Sequence, residues 1–221
     1  MTEDITLDSP LLLISNRSTA CYSFSMEDAG RCLEVSVKLA RIQHASFKIG
    51  CCMLVVMRLI LDACTLIYLV KANLFDRFMK LSITDVVVID SSVYEEAVIV
   101  GKQKNYPDAI LIEDALTRHN IAIIAIDVKP HLEKFQDAGE TSCYILASLD
   151  GICITTDKKA RAKYKGFNIS AMKLDQYFYQ LTTIGTVTAA EFLDVLKRLQ
   201  NVNAIDAKLV LMYHGLISEH A

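Results

Sequence analysis

Short, almost wholly apolar runs recur along the chain, and each is followed by a segment with helical spacing. Residues 57–61 form the first run, and its lack of polar alternation predicts a strand buried on both faces. A helix is expected over 63–70. The second run, 85–90 (Asp-Val-Val-Val-Ile-Asp), ends in Ser91 and Ser92, which offer caps for a helix from Val93 onward. Residues 102–108 are polar and hold a proline, as a loop would. A helix follows over 109–119, and 121–126 is the third buried strand. Residues 129–134 read as loop or short helix. Asp137-Ala-Gly-Glu140 opens a helix running through Ser148, 152–155 is the fourth strand, and 157–165 a basic helix. Residues 168–170 are placed as a last short strand, and the remainder as helical. Thr188-Ala-Ala-Glu191 is a capping box, with Phe192, Val195, Leu196 and Leu199 on one face behind it.

Strands alternating with helices predict an α/β fold: a doubly wound, mainly parallel sheet flanked by helices. The pattern starts cleanly at Met57. It divides the chain into an N-terminal extension (1–52), a sheet domain (53–175) and a C-terminal helical segment (176–221). The extension holds a candidate helix over 26–47, with Leu33, Val37, Ala40 and Arg41 at helical spacing. Met53 and Met57 are each a candidate start of the chain.

Composition supports the buried sheet: 52% of the 221 residues are hydrophobic and mean hydropathy is +0.31, high values that suit strands covered on both faces. The net charge of -3 provides no global basic field, so any nucleic-acid contact must come from local patches. Seven cysteines without zinc-type paired spacing read as small buried hydrophobes in a reducing cytoplasm. Residues 51–70 have the length of a membrane span, but Arg58 and Asp62 inside it are costly at mid-bilayer. The acidic start (Glu3, Asp4, Asp8) lacks the positive charge of a signal peptide. A soluble cytoplasmic protein is expected.

Four acids fall just after a strand or at a helix start. Asp62 follows the first strand, Glu96 lies in the helix after the second, Glu140 is at a helix start, and Asp157 follows the fourth strand. Each has a second reading. Asp62 and Asp157 can be helix N-caps, and Glu140 the third residue of a helix capped by Asp137. If Ser92 caps its helix, Glu95 is the capping-box residue, and Glu96 is left to face the sheet edge with Val93 and Val100. Carboxylates converging at the carboxyl edge of an α/β sheet suit a hard divalent cation such as Mg²⁺ or Mn²⁺. The histidines lack HxxxH or HxH spacing, which argues against zinc.

The pieces Leu-Ile-Leu-Asp62-Ala-Cys-Thr-Leu-Ile, Ser-Val-Tyr-Glu-Glu96, Gly-Glu140-Thr-Ser-Cys-Tyr-Ile-Leu-Ala and Ile-Thr155-Thr-Asp157-Lys-Lys-Ala-Arg161 together resemble the PIN domain family. These are metal-dependent ribonucleases that include the VapC-like toxins. The resemblance covers about half the chain, roughly residues 57–172. It implies that Asp62, Glu96, Glu140 and Asp157 bind Mg²⁺ or Mn²⁺, with the Thr155 hydroxyl accompanying the last acid. The implied reaction is in-line hydrolysis of an RNA phosphodiester, in which bound metal activates water and offsets charge on the phosphate. The implied partners are RNA, an antitoxin protein and a second copy of the chain; no membrane is involved. Two departures are Cys64, where many members carry Ser or Asn, and the long segment between Glu96 and Glu140.

Lys158, Lys159 and Arg161 lie beside Asp157, followed by Lys163 and Lys165. They read either as a track for the RNA backbone or as a solvated helix face. The alternative function is a PIN-fold module without activity that binds protein or RNA. Aspartyl phosphatases need a second Asp where Cys64 stands, a receiver needs paired acids after its first strand, and no Gly-x-Gly-x-x-Gly follows a strand.

Overall fold

Ile60 and Leu61, Val88 and Ile89, and Cys153 and Ile154 are all fully buried, and the three strands that carry them form the centre of one parallel sheet. The computed structural model describes residues 47–49, 52–54 and 57–220, with 134 and 136 excepted. In chain order, an antiparallel pair comes first, β1 (Phe47–Ile49) and β2 (Cys52–Leu54). Next come β3 (Arg58–Leu61), α1 (Ala63–Lys71), α2 (Phe75–Leu81) and β4 (Val86–Asp90). A helical run, α3, joins Ser91–Tyr94, a π-helical stretch Glu95–Val100 and Gly101–Gln103. Then follow α4 (Pro107–Arg118), β5 (Ala122–Ile124), a 3₁₀ turn (Lys129–His131), α5 (Ala138–Asp150), β6 (Ile152–Ile154), α6 (Lys158–Gly166) and β7 (Ala171–Met172). Three helices close the chain: α7 (Leu174–Thr183), α8 (Ala189–Asn201) and α9 (Ala207–His220).

The sheet order is β5-β4-β3-β6-β7, all parallel. The chain builds outward from β3 to β5, then returns to place β6 on the other flank of β3. The doubly wound sheet expected from the sequence is therefore present, and its topological switch point lies between β3 and β6. A ligand crevice opens beyond the carboxyl ends of the strands at such a point. Gly151 lets α5 turn tightly into β6: a Cβ there would stand 2.6 Å from Ile60 Cδ1 and 2.8 Å from the Arg58 carbonyl oxygen.

Asparagines follow five of the helices. Asn73, Asn105, Asn120, Asn168 and Asn203 all take positive φ, between 49° and 60°, directly after α1, α3, α4, α6 and α8, a conformation that Asn tolerates better than most residues. This corrects the expected strand at 168–170. Asn168 closes α6, the Ile169 N–H donates back to the Tyr164 carbonyl at 2.9 Å, and pairing waits until Ala171. Two further corrections concern caps. Asp90, not Ser92, caps α3, its Oδ1 accepting the Ser92 N–H at 2.7 Å. Pro107 is the first residue of α4 and not part of a loop, since its missing N–H is not needed there. The capping box at Thr188 and Glu191 forms as expected. Residues 26–46 of the expected N-terminal helix lie outside the described residues, and Phe47 belongs to β1.

Phe192, Val195, Leu196 and Leu199 of α8 and Tyr213 of α9 belong to the same contiguous core as Leu59 and Phe78. Each such aliphatic side chain contributes about 1.5–3 kcal/mol by burial. The boundary drawn at 175/176 falls inside α7. Among the described residues no helix is long and apolar enough to cross a membrane.

Candidate functional site

Asp62 stands at the switch point and serves two purposes at once. Its backbone N–H donates to the Ile154 carbonyl at 3.3 Å, which ties the end of β3 to β6. Its Oδ1 accepts the Ala63 N–H at 2.7 Å as the cap of α1. Its Oδ2 accepts the Thr155 hydroxyl at 2.6 Å and the Cys64 thiol at 3.0 Å. The cap reading and the site reading of Asp62 thus describe different oxygens of one carboxylate. The Cys64 thiol is pushed up to about 11, first by burial and then by the Asp62 charge, so it remains a donor to Asp62 at neutral pH. Cys64 therefore fills a donor position beside the acid despite departing from Ser or Asn.

Thr155 also joins Asp62 to Asp157: its Oγ1 accepts the Asp157 N–H at 3.1 Å. Asp157 caps α6, with Oδ1 accepting the N–H groups of Lys159 and Ala160 at 2.6 and 3.1 Å. The basic residues of α6 divide. Lys158 and Lys159 are exposed, whereas Arg161 turns inward and donates from Nη1 to the Thr155 carbonyl at 2.9 Å. Burial lowers the Arg161 pKa, with the charges of Asp175 and Asp157 acting the other way.

Glu96 lies in the π-helical stretch of α3, a feature often found at functional sites. Its Oε2 is 3.6 Å from the point a Cβ on Gly139 would occupy, and Asp137 Oδ1 is 3.2 Å from that same point. The glycine leaves a gap between two carboxylates. The Glu96 carboxyl pKa is raised, first by burial, then by the charges of Asp137 and Asp62, with Lys104 opposing. Glu140 faces elsewhere: its Oε2 accepts Lys163 Nζ at 2.5 Å, and its carbonyl accepts the Tyr164 hydroxyl at 2.9 Å. Asp137 Oδ1 meanwhile takes the Glu140 N–H at 2.8 Å.

The fold thus brings Asp62, Thr155 and Asp157 together through hydrogen bonds, and sets Glu96 within the field of Asp62. It pairs Glu140 with a lysine. Asp137, read from the sequence only as a cap, is the acid beside Glu96, and Asp90, at the end of β4, was not singled out as a functional residue. No sequence signal marks Asp137 as the neighbour of Glu96 or gives Glu140 its ion pair, because Lys163 approaches from α6, 23 positions away. Among the described residues no three His, Cys, Asp or Glu side chains stand close enough to hold an ion. The donor chemistry nevertheless suits a hard divalent cation: carboxylate oxygens, with the Cys64 thiol kept protonated beside them, a Glu96 carboxyl raised by burial and then by two neighbouring acids, and a gap that a Cβ at Gly139 would fill.

No curated protein and no solved structure matches the chain significantly. A family model described as a PIN domain matches residues 58–174, from β3 to the first residue of α7. That span is more than half of the 221 residues and contains every acid placed at the carboxyl edge, so the chain belongs to the PIN domain family.

Proposed function

We propose that the protein is a Mg²⁺- or Mn²⁺-dependent endoribonuclease. The observation that carries this reading is the Asp62 carboxylate at the switch point, oriented by Thr155, with Glu96 and Asp137 gathered about Gly139 on the same edge; the Glu96 carboxyl is raised first by burial and then by the charges of Asp137 and Asp62. Like charges gathered at one edge are relieved when a cation enters. Asp62, Glu96 and Asp157 would hold it, with Asp137 beside Glu96 and with Glu140 once it leaves Lys163. When bound, a divalent ion supplies an acidified water and offsets charge on the scissile phosphate. Thr155 holds the Asp62 oxygen in place, and Cys64 shares that task. Lys158 and Lys159 lie on the exposed side of α6 next to Asp157, where a phosphate backbone can run past the acids.

A cytoplasmic toxin of a toxin–antitoxin pair, acting as a homodimer, is the fuller form of the proposal. It extends the family's nuclease character to a biological role. The second reading, a PIN module that binds RNA or protein without cutting it, is favoured by the Glu140–Lys163 pair, which neutralises one expected ligand. Incubating the full chain with single-stranded RNA in EDTA, Mg²⁺ and Mn²⁺ separates them. Cleavage only with added metal is expected; RNA binding without cleavage in either metal favours the second reading.

A further inference from the structure

Asp62 has a counterpart on the next strand. Arg58 pairs with Val86, Leu59 with Val87 and Ile60 with Val88, so two further residues bring Asp62 level with Asp90. Neighbouring positions in a parallel sheet project to the same face. Both acids end their strands with nearly the same backbone, φ -81° and ψ 158° at Asp62 and φ -86° and ψ 157° at Asp90. In each, Oδ1 caps the helix that follows, at 2.7 Å from a backbone nitrogen. The Cys143 thiol of α5 lies within the field of both. Its pKa is held well above the usual thiol range, first by the hydrogen bond with Cys153 and by burial, with Asp62 and Asp90 adding to the rise.

The two differ at Oδ2. In Asp62 that oxygen has two donors. Asp90 is only 1% exposed, and its Oδ2 has no hydrogen-bond partner among the described residues. Ser92 donates N–H and O–H to Oδ1 alone, and the Ser92 hydroxyl stands 3.2 Å from that of Ser142. Among the described residues Asp90 enters no ion pair. Capping explains one oxygen; the other is a buried carboxylate oxygen left bare, a costly arrangement that calls for a missing partner.

We propose that Asp90 is a further ligand of the cation site, its Oδ2 turned to the divalent ion that Asp62 holds. The inference rests on the divalent-metal reading of Asp62. It adds an acid from β4 to those supplied by β3, α3, α5 and the β6–α6 junction.

Calorimetric titration of the full chain with Mn²⁺ tests it, comparing the parent with Asp90→Asn and Asp62→Asn. Asn keeps an oxygen for the Ser92 N–H and replaces the second carboxylate oxygen with an amide. Asp90→Asn is expected to weaken Mn²⁺ binding at least about tenfold, the lower end of what even outer-shell partners of a metal cost, while the metal-free melting temperature does not fall. A dissociation constant within twofold of the parent overturns the proposal and leaves Asp90 a helix cap. A parent that binds no Mn²⁺, or an Asp62→Asn variant that binds it as tightly as the parent, overturns the underlying metal reading instead. A measurement on the parent covers the case of a variant that does not fold. Titration of the parent with diamagnetic Mg²⁺ should shift the side-chain carboxyl carbon signal of Asp90 as it shifts that of Asp62, and an Asp90 signal unmoved at saturation overturns the proposal.

Discussion

Asp90 and Asp175 are both 1% exposed, and each leaves one carboxylate oxygen without a hydrogen-bond partner among the described residues. Their surroundings differ in sign. Asp175, in α7, accepts the Tyr213 hydroxyl of α9 at 2.9 Å. Burial raises its pKa, while Tyr213, Lys173 and Arg161 all act to lower it. The protein thus answers that charge with its own donors and cations, and the result ties α9 to α7. Around Asp90 stand the hydroxyls of Ser92 and Ser142, with Asp62 level on the next strand. A buried acid that serves structure is given a counter-charge from the chain, because an uncompensated one is strongly destabilising. Asp90 is given no such cation among the described residues, and the proposed divalent ion would supply the missing charge.

The largest effect is expected at the edge. Asp62→Asn should lower metal-dependent RNA cleavage by more than about 100-fold, since outer-shell partners already cost about 10- to 100-fold. It should also raise the metal-free melting temperature by removing one of several like charges. Mg²⁺ should raise the parent's melting temperature by mass action and the variant's much less. Cleavage assays and melts with and without Mg²⁺ measure both, and a variant that cuts like its parent breaks the contrast between the two kinds of acid.

Asp85, at the amino end of β4, sharpens it. Its pKa is raised to about 6 by burial, opposed by the Met57 N–H. The ordinary value is about 3.9, so between about pH 4 and 6 the folded state holds a proton that the unfolded state has lost. The contribution of Asp85 to stability is then greatest below that window and falls as pH rises through it, by about 1–2 kcal/mol after solvent screening of a partly exposed group. Asp85→Asn should remove the fall and leave the protein more stable than its parent at pH 7.5, with Mn²⁺ affinity unchanged. Urea unfolding at pH 4.5 and 7.5 reads it; an unaltered pH slope would exclude Asp85 as the cause.

Tyr213→Phe leaves buried Asp175 without its donor and should cost about 1–3 kcal/mol. The urea midpoint should drop while Mn²⁺ affinity stays the same. Weaker metal binding would show that the α9 contact reaches the edge, along the path in which Arg161 feels Asp175 and holds the Thr155 carbonyl.

Much of this was legible in the sequence, for identifiable reasons. Strands β3, β4 and β6 are almost wholly apolar, with Arg58 and Asp90 at strand ends, because helices cover both faces. Asp62 could be placed because it directly follows such a run, and Asp157 because it stands two threonines beyond one. The helix α2 escaped notice: only seven residues long, it follows α1 after one left-handed Asn73. The π-helical stretch leaves no sequence mark, so the setting of Glu96 depended on tertiary structure. Asp137 and Glu140 share one helix start, and the lysine that pairs with Glu140 lies 23 positions away. The sequence marks Asp90 only as the end of a strand, because its burial and bare oxygen are visible only in the folded sheet.

The smallest effect concerns the basic face of α6, where sequence put Lys158, Lys159 and Arg161 in one group. In the structure the two lysines are exposed and Arg161 is half-buried against the Thr155 carbonyl. Single-stranded RNA binding loses about 0.7 of logarithmic salt slope for each phosphate contact removed. Lys158→Ala with Lys159→Ala should therefore reduce that slope by about 1.4 in metal-free buffer, with stability changed by less than about 0.5 kcal/mol. Arg161→Ala should do the reverse: it deletes a charged donor from a buried carbonyl at a cost of about 1–3 kcal/mol and leaves the salt slope as it was. Fluorescence anisotropy across a salt series, paired with urea melts, measures both quantities. If all three substitutions lower the slope alike, Arg161 reaches RNA and its inward bond is dispensable. If the lysines leave the slope untouched, they form a solvated face and the RNA runs elsewhere along the edge.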